Sequence, residues 1–260
     1  TWAVPAEEAL KEIPGVELDL AIQTLVKTDP IPRAHETRRA VYRITMKNDD
    51  PAKYLAGGGT QSIRRLGPHA IELTVTAAPV PQGRRQTKVD AEYLADTRFL
   101  QINDFRVRDH AQQASAGEFH PSRIALRMEK HVYDVVTEKN FSTALATAAE
   151  VAEGREGDCT EHAVLLAAML RVKNIPSRIV AGLIYLPGRN AFAGHMWTEA
   201  HLDGRWIPLD AMLGQGGIGA AHIKLGDSSF ADDAPAPITT FLPILNLLGN
   251  VTIEVITAES

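Results

Sequence analysis

Alternation of apolar and polar positions dominates the first third of the chain. Residues 16–26 (VELDLAIQTLV), 37–46 (TRRAVYRITM), 61–66 and 70–77 (AIELTVTA) place apolar, often β-branched side chains at near period two, which is the pattern of half-buried strands. Breakers stand between these runs: Asp29-Pro30 through Pro32, Asn48 through Pro51, the Gly57-Gly58-Gly59 triplet, and residues 79–83 (PVPQG). Proline fixes φ and glycine supplies left-handed conformations, so these segments predict turns. Several short strands separated by polar turns predict a small all-β domain over residues 1–90.

The period changes beyond residue 90. Residues 91–117 read as a connecting segment that ends in helical character, and a second domain is expected over 118–260. In residues 121–138 (PSRIALRMEKHVYDVVTE), Ile124, Met128, Val132 and Val135 share one helical face, with Pro121 in the first turn, where its missing N–H costs nothing. Residues 143–153 (TALATAAEVAE) are alanine-rich and predict a second helix ending at Gly154. The run 162–172 (HAVLLAAMLRV) predicts an apolar helix that stops before Asn174-Ile175-Pro176. Strands are expected at 177–186, 195–202 and 205–209, the last two joined by an Asp203-Gly204 hairpin turn. A short strand at 222–225, a short helix at 239–248 and a terminal strand at 251–256 complete the reading, which is α+β.

Composition narrows the function classes. Apolar residues make up 45% and charged residues 23%, which excludes a disordered, collagen-like or coiled-coil chain. With 27 basic and 32 acidic residues and no dense Lys/Arg cluster, nucleic acid is not an expected partner. No apolar run approaches the ~18–20 residues that a bilayer span needs; the longest, 241–248, is interrupted by Pro243 and Asn246. The chain opens at Thr1, so targeting is unread; a periplasmic or secreted setting is preferred over a cytoplasmic one. Oligomeric state is likewise unread.

Cys159 is the single cysteine, so no intrachain disulfide forms and the metal patterns built on paired cysteines are absent. Such a thiol is either a small buried hydrophobe or a nucleophile. The sequence Gly157-Asp158-Cys159-Thr160 leads directly into the 162–172 helix, which puts Cys159 at a helix N-terminus, where unpaired N–H groups favour a thiolate. A catalytic thiolate also needs an imidazole. His195 is the strongest candidate, because it follows Gly194 at the start of a predicted strand, after a loop containing Pro187 and Gly188. His162 is tied to the helix itself. His35, His69, His110, His120, His131, His201 and His222 lie in segments with no comparable companion. His201 shares a face with His195, but about 20 Å away at ~3.3 Å per residue. The hairpin returns the chain so that Asp210, at the end of the 205–209 strand, comes within a residue or two of the level of His195, able to accept from its ring and fix its tautomer.

The segments GDCTEHAVLLAAMLRVKNIPSRIVAGL (157–183) and GHMWTEAHLDGRWIPLDA (194–211) resemble the catalytic core of bacterial transglutaminase-like proteins, relatives of the papain-type cysteine peptidases. The resemblance covers 154–211 closely and 118–260 loosely, and departs at Asn174, where the family often has Gly, and at Ala211, where it often has Pro. It implies a papain-like α+β core in which a Cys-bearing helix packs on an antiparallel sheet, preceded here by a small all-β domain. It also implies Cys159 as nucleophile, His195 as general base and acid, and Asp210 as orienter. The implied activity is acyl transfer from peptide or glutamine-type amides of a protein or peptide substrate. Hydrolysis is preferred to amine transfer; the alternatives are a protein-glutamine transglutaminase and a binding or assembly module that retains the fold.

The backbone N–H of Cys159 is the natural first oxyanion donor. Tyr133, Asn140 or Gln101 could supply a second, and no spacing selects among them. Trp197, two residues from His195 along the strand, either shields the ion pair or packs as core. Glu199 is either a further acceptor behind the site or a member of a structural salt bridge. Asp158, Cys159, Glu161, His162, His195 and Asp210 include plausible zinc ligands, but a Cys–His–Asp triad explains the same residues more economically, and no metal or other cofactor is expected. No acidic loop suggests a Ca²⁺ site.

Overall fold

The computed structural model describes residues 25–83, 87–138, 145–233, 239, 242–247 and 249–260. Its strands and helices run β1 (Val26–Lys27), β2 (Arg39–Met46), β3 (Gln61–Gly67), β4 (Ala70–Thr76), α1 (Phe105–Ser115), α2 (Pro121–Val135), α3 (Ala148–Gly154), α4 (Cys159–Val172), β5 (Ser177–Leu186), β6 (Ala191–Leu202), β7 (Arg205–Leu209), β8 (His222–Ser228), α5 (Leu242–Leu247) and β9 (Val251–Glu259). This is the expected α+β architecture. Most of the 16–26 run, Asn140 and the start of the 143–153 run lie outside the described residues.

Two antiparallel sheets form. One has the order β3-β4-β2-β9 and the other β1-β6-β5-β8, with β7 also paired to β6. Alternation in β2 and β4 turns Tyr42, Ile44, Ile71 and Leu73 inward, where they share a core with Leu183, Tyr185, Phe192 and Ile223 of the second sheet. A second core packs α1, α2 and α4 against β5, β6 and β7 through Val107, Met128, Leu166, Ile179, Met196 and Ile207. The sheet bearing His195 therefore contributes to both cores.

The first and last described strands cross between the sheets. The terminal strand β9, placed from sequence in the 118–260 segment, pairs along β2 from Met46↔Val251 to Arg39↔Glu259. Conversely, β1 pairs with β6 at Val26↔Phe192. Periodicity identified both as strands but carried no information about their partners.

Helix α4 is buried from Thr160 to Arg171, as its nearly continuous apolar run requires. Its start is fixed by a capping box: the Asp158 carboxylate accepts from Thr160 N at 2.8 Å, and Glu161 Oε2 accepts from Asp158 N at 3.0 Å. The helix ends as Asn174 takes a left-handed φ of 56°, a conformation asparagine tolerates better than most residues. No helix among the described residues is long and apolar enough to cross a membrane.

Candidate active site

The α4 cap places the half-buried Cys159 at the first helical position. His195 lies not at the start of its strand but at the fifth residue. The Pro187-Gly188 loop closes within a tight turn that ends at Asn190, whose φ is 46°, so β6 already begins at Ala191. Asp203 and Gly204, with φ of 51° and 81°, close the β6–β7 hairpin in left-handed conformations. The ladder runs Leu202↔Arg205 to Thr198↔Leu209. One step further, Asp210 comes level with Trp197, two residues from His195.

The side chains bridge that offset. His195 Nε2 donates to Asp210 Oδ2 at 2.8 Å, and Cys159 is near enough to His195 to help hold it charged. A carboxylate only accepts, so Nε2 carries the hydrogen and Nδ1 is the nitrogen left to face the thiol. Cys159, His195 and Asp210 are thus contiguous. His195 is 5% exposed and Asp210 1%, so the imidazole–carboxylate bond is shielded from water. Burial disfavours an imidazolium, yet the Asp210 charge and hydrogen bond, together with Cys159, outweigh it and raise His195 to about 10. Burial likewise pushes the Asp210 carboxyl up, but His195 and His222 more than offset it and hold the group far below the usual carboxylate range.

Residues 108–211 match the family model of the transglutaminase-like superfamily. These residues resemble a transglutaminase-like core. The match begins inside α1, earlier than residue 118, and ends one residue past Asp210. Among solved structures, a candidate cysteine protease from Cytophaga hutchinsonii is 16% identical with a TM-score of 0.52, over 84% of this chain and 82% of that one. The periplasmic domain of TgpA from Pseudomonas aeruginosa, bound to ethylmercury, is 14% identical with a TM-score of 0.42, over 76% and 94% of the two chains. Red sea bream transglutaminase is 10% identical with a TM-score of 0.35, over 73% and 48%. The first of these shares the fold of the chain. No curated protein matches the sequence.

Around Cys159 and His195, the site holds three groups that sequence reasoning missed. His222, set aside for want of a companion, donates from Nε2 to Asp210 Oδ2 at 3.1 Å. It stands on β8, which pairs with β5 at Ile184↔His222, a relation no local spacing encodes. His35 packs against it with ring centroids 5.9 Å apart. Glu129 of α2, with no exposed surface, accepts from Asp210 N at 3.0 Å and from Gly217 N at 3.3 Å through Oε1. Burial pushes this carboxyl up to about 7, against the pull of those two backbone donors.

The remaining sequence candidates divide clearly. Trp197 is buried and its ring stacks near that of His195, with centroids 6.2 Å apart and 27° between planes. Glu199 belongs to a salt-bridge network: its Oε2 accepts from Arg178 Nε and from Lys224 Nζ, both at 2.7 Å. Tyr133 is 45% exposed and lies over Gly214, where an added Cβ would come within 2.6 Å of its ring. Gln101 is occupied in accepting from Ala149 N at 3.1 Å. The His162 ring turns back to its own helix start, with Nδ1 2.6 Å from Asp158 O. Among the described residues, the set of three such groups whose ligand atoms approach one another is His195, Asp210 and His222, so of the residues weighed as zinc ligands His195 and Asp210 belong to it. Their donor atoms lie within 4.8 Å of one another, but the 2.8 and 3.1 Å separations are those of direct hydrogen bonds.

Proposed function

We propose that this protein is a cysteine-dependent acyl-transfer enzyme acting on peptide or glutamine-type amide bonds of a protein or peptide, with water as the acyl acceptor. The observation that carries the reading is the placement of His195 between Cys159 at a helix N-terminus and Asp210 at 2.8 Å. In this reading the Cys159 thiolate attacks the amide carbonyl, and the oxyanion is received by the N–H of Cys159. The C–N bond then breaks as His195 passes its Nδ1 proton to the departing amine, leaving a thioester and a neutral imidazole. His195 next takes a proton from water as its oxygen attacks the thioester, and the C–S bond breaks to return the acid and the thiolate. Asp210 stays ionised and holds the imidazole tautomer throughout. Hydrolysis is preferred because water needs no acceptor groove, whereas amine transfer does.

The test is the rate at which iodoacetamide alkylates Cys159 between pH 4 and 9, read by mass spectrometry in the native protein and in His195→Ala. Fast labelling near pH 6 that disappears in the variant is expected for a thiolate–imidazolium pair. Labelling that rises only around pH 8.5 in both proteins, as for an ordinary thiol, would overturn the reading. A glutamine peptide supplied with and without a primary amine then separates the two reactions. Ammonia release or peptide cleavage without amine incorporation identifies hydrolysis; amine-dependent incorporation identifies a transglutaminase.

A further inference from the structure

We infer that His222 is a positioning residue: it locks the carboxylate of Asp210 in the plane from which that carboxylate turns the His195 ring toward Cys159. The inference rests on the Cys159–His195–Asp210 reading above and extends it by a fourth side chain.

Each oxygen of Asp210 is held separately. Oδ1 accepts from Met212 N at 2.9 Å, while Oδ2 accepts from His195 Nε2 at 2.8 Å and from His222 Nε2 at 3.1 Å. Because the carboxylate has no proton to give, both imidazoles must present a hydrogen on Nε2, so one oxygen sets the tautomer of two rings. Without His222, Oδ2 would keep only the ring that takes part in proton transfer, and Met212 N on Oδ1 would be the one remaining fixed anchor of the carboxylate. With it, the oxygen has a second anchor that takes no part in the chemistry.

His222 is itself immobilised. Its side chain has no exposed surface. The ring meets Trp197 edge-on at 5.5 Å and lies 5.9 Å from the rings of both His35 and His195. A group so enclosed does not touch substrate, which makes it a positioning residue rather than a catalytic one. Burial and the neighbouring His195 lower its pKa, against the opposing pull of Asp210 and of a backbone hydrogen bond with Gly219.

The experiment compares His222→Gln, whose amide nitrogen reaches the place of Nε2, with His222→Asn, which is equally polar but one methylene too short to reach Asp210. Iodoacetamide labelling of Cys159 is measured at pH 6 and divided by the rate at pH 9.5, where any thiol ionises, and circular dichroism verifies that both variants are folded. His222→Asn is expected to lose about tenfold of the normalised pH 6 rate, the order by which orienting partners tune a buried site, while His222→Gln stays near the native value. Native behaviour in His222→Asn would overturn the inference, and so would an equal loss in both folded variants. A native protein with no labelling advantage at pH 6 would instead remove the triad reading on which it rests.

Discussion

Gly182 on β5 pairs directly with His195 on β6, and its bare backbone makes room for the indole of Trp197: a Cβ at 182 would come within 2.5 Å of that ring and 2.3 Å of Ile223 O. The glycine thus sets how deeply Trp197 settles beside the His195 imidazole. Gly182→Ala must move either a buried tryptophan or the β8 backbone, and overpacking of this kind costs about 1–3 kcal/mol. Urea unfolding is expected to show that loss, together with slower labelling of Cys159 at pH 6. Gly188→Ala, where an added Cβ meets nothing within 4 Å, is the control and should unfold like the native protein. Coincident midpoints for Gly182→Ala and the native protein would show that the site yields at no cost.

Glu129 links stability to pH through the strand end that carries Asp210. Its carboxyl rises from 4.5 to about 7 on folding, so the folded chain holds a proton there that the unfolded chain has already lost. Stability from this group is therefore complete below about pH 4.5 and declines as pH climbs to 7. Glu129→Gln keeps an acceptor for Asp210 N and Gly217 N but cannot ionise. Relative to the native protein it should gain stability from pH 5 to 8, by up to about 3 kcal/mol at roughly 1.4 kcal/mol per pKa unit. Glu161, which burial also raises to about 7, stays in both proteins, so their difference isolates Glu129. Parallel stability curves would mean that the buried carboxylate is better solvated than its surroundings suggest.

What the sequence revealed and what it concealed follow from chain distance. Cys159 at a helix start and the His195–Asp210 approach are local relations: a capping residue, an apolar run and one two-residue turn are enough to specify them. His195 is in mid-strand rather than at a strand start because Asn190 accepts a positive φ and closes the preceding turn early. Glu129 reaches Asp210 across 81 residues, and β9 pairs with a strand near the opposite end of the chain. Neither relation has a local signature, since period two marks a strand without naming its neighbour. His222 is nearer, 12 residues from Asp210, yet it arrives on a strand paired to β5, and only that pairing turns an unremarkable histidine into a second donor.

The alkaline behaviour of the site should depend on Asp210. Burial alone would drive the His195 imidazole neutral, and the Asp210 charge and hydrogen bond lead the opposing effects that raise it to about 10. Asp210→Asn removes the charge while keeping an acceptor oxygen. Titration of the His195 ring by NMR is expected near pH 10 in the native protein and at least about one unit lower in the variant, with the alkaline limb of turnover falling in step. An unchanged midpoint would shift the stabilisation of the imidazolium from Asp210 to Cys159.

Glu199 offers a way to separate the packing of this sheet from its chemistry. It lies on the same strand as His195 and Trp197 at period two and is 4% exposed, yet its carboxylate bonds Arg178 and Lys224 rather than Cys159, His195 or Asp210. Both cations also reach Asp227, at 3.1 and 2.8 Å, so two positive and two negative side chains form a closed network around the end of β5. Glu199→Gln leaves two largely buried cations sharing one partly exposed carboxylate, and breaking one member of such a network costs about 3–5 kcal/mol when the pair is fully buried, less here because Asp227 remains. Thermal unfolding should therefore fall measurably, whereas the pH profile of Cys159 labelling in the folded variant should overlay that of the native protein. Should the profile move, Glu199 would belong to the proton-transfer machinery, and the charged network would extend the site along the whole face of β6.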